Sequence, residues 1–331
     1  MIKIHPSIKS IFAECAEVIE PPNQVPKSVK VSVLVATYNH QDTIAQCLDG
    51  ILMQSTDFEF EILLGEDESN DRTRDICIAY AEKHPEKIRL FLHRRENNIH
   101  INGKPSGKFN SCFNYSKVRG EYFAICEGDD FWTDNQKLQK QVEALDDNPN
   151  ATLCYTRVNL MDRSGNVQSD EQSITEKRFR QITDSSRLSI SPLLEVGNFI
   201  HTCSMMGRSN ALDIPFEFIK SPVGDYLLYI LLTQNGQEII KLDNPPTAVY
   251  RNETGTWSAQ SGQNILLNIA LYQSCVLSIL QNEEHRGIFL DRAHSHIIQI
   301  GNYIDQIKQR EPAVKELFAF LVRKVRRKLH L

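Results

Sequence analysis

Glu121-Tyr122-Phe123-Ala124-Ile125-Cys126-Glu127-Gly128-Asp129-Asp130-Phe131-Trp132 is the stretch on which the reading of this chain turns. Its apolar part, about six residues long, has the length and composition of a buried strand. The strand opens directly into Glu127, Asp129 and Asp130. Carboxylates crowded at a strand end repel one another unless a cation lies among them. Hard divalent ions such as Mg²⁺ or Mn²⁺ take oxygen ligands of this kind and share them with substrate phosphates. A plainer reading is a solvated acidic turn that starts the next helix, with Thr133 and Gln136 as a capping box. The surrounding sequence decides between them.

Upstream, Val29–Ala36 is an almost continuous β-branched run, as expected of a strand buried on both faces. Asn39 can cap the following helix, whose apolar face is Ile44, Leu48, Ile51 and Leu52. Phe58–Leu64 reads as a second strand ending at Gly65-Glu66-Asp67, followed by a helix from about Asp71 to Lys83. Ile88–Leu92 reads as a third strand, and Lys108–Lys117 as a short helix. Strands alternating with helices predict a Rossmann-like α/β fold, a mostly parallel sheet with helices on both faces. Ligands then bind at the carboxyl ends of the strands. Thr37–Asn39, Glu66–Asp71 and Glu127–Asp130 should therefore meet in one crevice.

The first strand leads into Ala36-Thr37-Tyr38-Asn39-His40, with no Gly-x-Gly-x-x-Gly and no Walker-type loop. Phosphate is thus better held by a metal on carboxylates, with help from Lys108 or the Arg94-Arg95 pair. A net charge of -5 argues against nucleic acid as partner. The eight cysteines show no Cys-x-x-Cys spacing, which points to core thiols in a reducing compartment. No secretory signal and no membrane span is legible, so a cytoplasmic protein is expected, on the inner face of the plasma membrane if it touches one.

Val31–Asn39, Glu61–Thr73 and Tyr122–Trp132 resemble, in order and spacing, the three signature blocks of family-2 glycosyltransferases with a GT-A fold. The middle block, usually Asp-Asp-Gly-Ser-x-Asp-x-Thr, stands here as Glu66-Asp67-Glu68-Ser69-Asn70-Asp71-Arg72-Thr73. The third, usually Asp-x-Asp-Asp, stands as Glu127-Gly128-Asp129-Asp130. The resemblance implies a metal-dependent, inverting transfer of sugar from a nucleotide-diphosphate donor, a UDP- or dTDP-sugar, to an acceptor hydroxyl in surface polysaccharide or lipopolysaccharide synthesis. It implies that Thr37, Tyr38, Asn39, Glu66 and Asp67 line the nucleotide pocket, Asp67 accepting from the base. Lys108 and Asp129 would lie near the diphosphate, and Asp130, with Asp129 and Glu127, would hold Mg²⁺ or Mn²⁺. The family places its general base at a helix start, usually in a Glu-Asp pair. Gly224-Asp225 stands there, which makes Asp225 the expected base. An N-cap aspartate is the structural alternative.

Trp132, His201 and Trp257 are expected at the acceptor, although a tryptophan serves equally well as core packing and His201 lies on an apolar segment. Three units follow. Residues 1–28 form a helical prefix (Ile4–Glu20) and proline linker, 29–260 the GT-A domain, and 261–331 a helical C-terminal region. The domain divides into a nucleotide-sugar half, 29–135, and an acceptor half, 136–260, with residues 168–187 as a loop. From Pro312 the chain becomes a basic amphipathic helix suited to an anionic membrane surface and a lipid-linked saccharide acceptor. Two rival readings share the fold. One is a non-catalytic nucleotide-sugar-binding or scaffolding module, suggested by Glu66, Glu127 and Gly224. The other is a nucleotidyltransferase, which would need a glycine-rich basic loop after the first strand.

Overall fold

Val31–Thr37 (β1) carries Val31, Val33 and Val35 on one face and Leu34 on the other, and all are buried. A strand covered on both sides has to sit inside a sheet. The computed structural model describes residues 1–169, 177, 178, 180, 187–243, 245–252 and 262–308. In it β1 pairs in parallel with Phe60–Glu66 (β2), in register from Val31 opposite Phe60 to Thr37 opposite Glu66. Ile88–Leu92 (β3) extends the sheet beyond β2, and Tyr122–Ile125 (β4) flanks β1 on its other side, both parallel. Phe131–Trp132 forms β5, and Ala151–Tyr155 and Val158–Met161 form β6 and β7. Val167–Ser169 is β8, Arg187–Leu188 is β9 and Met205–Arg208 is β10. Glu238–Lys241 and Ala248–Arg251 are β11 and β12. The main sheet has eight strands in the order β9-β11-β6-β10-β4-β1-β2-β3. β10 runs antiparallel to both neighbours. The fold is therefore the expected α/β class with a mostly parallel sheet.

A smaller sheet, β8-β7-β12-β5, ties the two halves together. Trp132 lies opposite Ala248, and Phe131 opposite Val249. The stretch from Gln237 to Tyr250 is thus divided between two sheets.

Pro6–Glu14 (α1) is shorter than the expected Ile4–Glu20 helix and places Ile8 in the core. Lys3–Ile4 pairs with Asp213–Ile214, and Ile19 bridges Leu92 on β3. The prefix thereby covers a sheet edge that would otherwise offer unpaired backbone groups. Ile44–Leu52 (α2) and Thr73–Lys83 (α3) cover one face of the sheet. Lys108–Lys117 (α4) buries Phe109, Cys112 and Tyr115 on the other. Its Asn110 and Asn114 turn inward as well. Asn110 Nδ2 donates to Gly65 O at 2.8 Å and Asn114 Nδ2 to Val35 O at 3.1 Å. A Cβ at Gly65 would lie 1.8 Å from Asn110 Oδ1, which explains the glycine.

Lys137–Asp146 (α5), Ser191–Val196 (α6) and Gly224–Thr233 (α7) complete the central part. Gly262–Ile279 (α8) and Glu283–Lys308 (α9) follow. Tyr272, Val276, Ile279 and Phe289 of these last helices share one core with Tyr226, Leu227 and Ile230 of α7. All eight cysteines are free thiols. Among the described residues no helix is long and apolar enough to cross a membrane. Most of the expected loop 168–187, Trp257 and the basic stretch from Pro312 lie outside the described residues.

Candidate functional site

The carboxyl ends of β1, β2 and β4 reach one rim because their parallel register leaves no choice. Asp67 N–H donates to Thr37 O at 3.1 Å, and Gly128 N–H donates to Ala36 O at 3.2 Å. Two expected site segments thus grip successive carbonyls of one strand end. Gly128 could be nothing larger, since a Cβ there would lie 2.6 Å from Thr37 Oγ1 and 2.7 Å from His40 Nδ1.

Asp67 is 2% exposed, and burial pushes its carboxyl up to about 6 despite the Arg95 guanidinium beside it. Its Oδ2 accepts from Arg95 and, at 2.7 Å, from Asn98 Nδ2. Its Oδ1 is buried with no hydrogen-bond partner. Arg95 also lies over the Tyr38 ring, 3.6 Å from the centroid. Arg95 thus bridges the Tyr38 ring and the buried Asp67 carboxylate. Arg95, expected near phosphate, belongs to this corner instead.

Two expected nucleotide contacts are turn builders. The Glu66 side chain is fully buried and accepts from Arg74, from Ser69 N–H at 2.7 Å and from Glu68 N–H at 3.3 Å. Asn39 does not cap α2, whose N-cap is Thr43. It takes a left-handed φ of 55°, and its Oδ1 accepts Asn70 N–H at 2.9 Å.

At the acidic turn, Asp130 is 1% exposed. Its Oδ1 accepts Arg251 N–H at 2.9 Å, while Oδ2 is buried without a hydrogen-bond partner. Arg251 further donates to Asp129 O and lies over Phe131 at 4.9 Å. Burial, then Asp129 and Glu127, push the Asp130 carboxyl far up. Glu127 is raised by its dense surroundings, then by Asp129 and Asp225, with Lys108 opposing. Its side chain nevertheless faces solvent, so water tempers that rise. Orphaned buried oxygen and like-charge crowding are what a hard divalent cation relieves. Yet among the described residues no three carboxylate, histidine or cysteine side chains close around one point. The three-carboxylate cage expected from Glu127, Asp129 and Asp130 is therefore not preformed. Asp130 Oδ2 fits as one protein ligand, with the remaining positions left to water and phosphate oxygens.

Across from the acidic turn, Asp225 sits in the first turn of α7, whose N-cap is Val223. Its Oδ2 accepts Asn198 Nδ2 at 2.8 Å and its Oδ1 accepts Tyr226 N–H at 2.7 Å. Burial raises its carboxyl, opposed by the Tyr226 amide, Lys108 and Asn198. Lys108 is 7% exposed, with Nζ 4.5 Å from the Phe218 ring centroid. A Cβ on Gly224 would come 2.5 Å from that Nζ. The lysine thus occupies the space that a side chain before Asp225 would need.

Two expected acceptor contacts change character. Trp132 is 2% exposed, and its Nε1–H donates to Cys203 O at 2.9 Å, so it is core and turns no face to the cleft. His201 is half-buried against Tyr250 at 4.7 Å, and burial lowers its ring to about 4. Asn98, Asn198 and Arg251 carry the site's wiring but belong to no motif.

The model of glycosyl transferase family 2 matches residues 32–213, more than half of the chain. An uncharacterised protein of Mycobacterium tuberculosis is 33% identical over 229 residues, 69% of this chain and 60% of that protein, so the chain spans about three-fifths of the relative's length. S. aureus TarS 1-349 in complex with UDP-GlcNAc superposes with a TM-score of 0.54 at 18% identity, covering 80% of this chain and 73% of that fragment. The mannosyltransferase PcManGT from Pyrobaculum calidifontis, in complex with GDP-Man and Mn2+, gives 0.50 at 16% identity, covering 88% and 74%. Such low identities establish the fold alone. With the family match covering most of the main sheet and the acidic turn, the chain belongs to glycosyltransferase family 2.

Proposed function

We propose that the chain transfers a sugar, with inversion, from a nucleotide diphosphate to the hydroxyl of a saccharide or lipid-linked acceptor in surface polysaccharide synthesis. The observation that carries this reading is the carboxylate of Asp225, fixed by two hydrogen bonds and electrostatically coupled to Glu127 and Lys108. Tyr38 and Asp67 receive the base, and the free Oδ1 of Asp67 accepts its N–H. Lys108 offers positive charge near the diphosphate. Asp130 would hold Mg²⁺ or Mn²⁺, which would supply charge neutralisation at the leaving diphosphate.

Asp225 takes the proton of the acceptor hydroxyl as that oxygen bonds to the anomeric carbon from the opposite face. The bond to the diphosphate breaks, and its electron pair leaves with the nucleoside diphosphate. A half-buried carboxylate with a raised proton affinity is a better base than one in water, while Lys108 and Asn198 oppose the rise. The nucleotide-sugar complexes of TarS and PcManGT support the donor class. The basic stretch beyond Pro312 supports an anionic membrane surface as the place of work, from sequence alone.

Purified protein incubated with a panel of nucleotide sugars, acceptor fractions and Mn²⁺ tests this. Donor-dependent release of nucleoside diphosphate is expected. Asp225→Asn should lower kcat by about 10²–10⁴ with donor KM little changed, and Asp130→Ala should abolish the response to added metal. Full activity of both variants overturns the assignment.

A further inference from the structure

Asp225 is held by parts of the chain remote from it. Asn198 Nδ2 donates to Asp225 Oδ2, and Asn198 Oδ1 accepts Ile200 N–H at 3.0 Å, so the amide has one orientation. The Asn198 carbonyl accepts Arg178 Nη1 at 2.9 Å. Asn198 follows Gly197, whose φ of 93° ends α6. The last carbonyls of a helix lack intrahelical donors. Here Arg292 of α9 supplies one. Its Nη1 lies 3.2 Å from both Leu193 O and Leu194 O, and 2.6 Å from Tyr226 Oη. Tyr226 O–H in turn donates to Leu193 O at 2.7 Å, and Tyr226 N–H is the second donor to Asp225. A Cβ on Gly197 would come within 3.2 Å of the Arg292 guanidinium. Glycine there serves both the left-handed turn and the approach of Arg292.

We propose that Asn198 and Arg292 are positioning residues for Asp225. Arg292 locks the end of α6 to Tyr226, and Asn198 carries that register to the carboxylate. The C-terminal helices are in this sense part of the catalytic machinery. The proposal rests on the reading of Asp225 as the base. Around Asp225, the charged and titratable groups are Lys108 and Tyr115 of α4, Glu127 of the acidic turn, Tyr226 and Tyr229 of α7 and Tyr250 of β12. All of them remain in the variants below.

The test uses the full chain, the nucleotide-sugar panel and the kcat–pH profile. Asn198→Ala removes a donor to a charged acceptor. It should lower kcat by about tenfold or more, hold donor KM within about twofold, and move the acid limb of the profile to higher pH. Arg292→Met should act in the same direction with a smaller shift, its folding checked by circular dichroism and Tm. If Arg292→Met does not fold, Asn198→Ala decides alone. An unmoved acid limb and unchanged kcat in Asn198→Ala, with Asp225→Asn inactive, overturns this inference and spares the base assignment. Activity retained in Asp225→Asn, or an inactive wild type across the panel, overturns the base assignment and this inference with it.

Discussion

On one side of the cleft Asp67 and Gly128 hydrogen-bond through their backbone to Thr37 and Ala36, carbonyls of a single strand end. On the other side Asp225 is held by Asn198, 27 residues away, and the loop bearing Asn198 is pinned by Arg292, 99 residues beyond Leu193. The first side is assembled by β-sheet register, so a short motif at each strand end suffices. The second is assembled by side chains reaching between elements that no regular ladder connects. The nucleotide side should therefore tolerate changes far away in sequence, while the base side should be sensitive to them.

The largest expected contrast is kinetic. Asp67→Ala should raise donor KM by about 10- to 100-fold, the loss of a hydrogen bond to a charged group, with kcat little changed. Wild-type donor affinity should weaken below about pH 6, where the buried Asp67 carboxyl gains its proton and can no longer accept on both oxygens. A kcat effect as large as that of Asp225→Asn would erase the distinction between the two sides. Isothermal titration with nucleoside diphosphate across pH 5–8 and steady-state kinetics are the measurements.

Gly128→Ala comes next. Its Cβ meets Thr37 Oγ1 and His40 Nδ1 at under 3 Å, and strain of that kind costs about 1–3 kcal/mol. Thermal unfolding should show a lower Tm and donor binding should weaken, because the strand-end contact itself has moved. An unchanged Tm would mean that the rim is softer than its hydrogen bonds suggest.

The smallest effect is at the seam between the halves. Lys137 is fully buried under Trp132, its Nζ 4.4 Å from the ring centroid and 2.5 Å from Gln141 Oε1. Burial lowers its ammonium to about 8. The unfolded chain therefore binds the extra proton between about pH 8 and 10.4, so stability should rise with pH across that window. Lys137→Met should flatten the rise and stabilise the protein at pH 7 by about 1 kcal/mol, net of the partner lost by Gln141. Denaturant titrations at pH 7 and pH 9.5 read both.

The meeting of the strand ends at one rim was legible because its residues stand where apolar runs stop. Thr37, Asp67 and Asp129-Asp130 each end or follow a buried strand, and parallel register carries strand ends to one edge. Glu66 and Asn39 were misread because the same motif that lines the pocket also folds its turn, and side-chain carboxylates and amides serve either purpose. Trp132 was misread because an aromatic after an acidic turn looks the same whether its ring faces a sugar or Cys203. Asn98, Asn198 and Arg292 had no signal at all, and Arg95 was expected near phosphate, not against Asp67. Their contacts reach residues far along the chain, and such contacts leave no periodicity.

Alternating apolar runs and helical patterns, by themselves, determined a parallel α/β sheet, the edge at which ligands gather and the carboxylates standing on it, because strand period and backbone register are local properties of the chain. Tertiary structure alone decided which carboxylate oxygens remain without partners, that Lys108 fills the space beside Gly224, and that Arg292 of α9 reaches the hydroxyl of Tyr226, the residue after the candidate base. Those outcomes depend on how distant side chains meet, and burial and charge act only after the chain has brought them together.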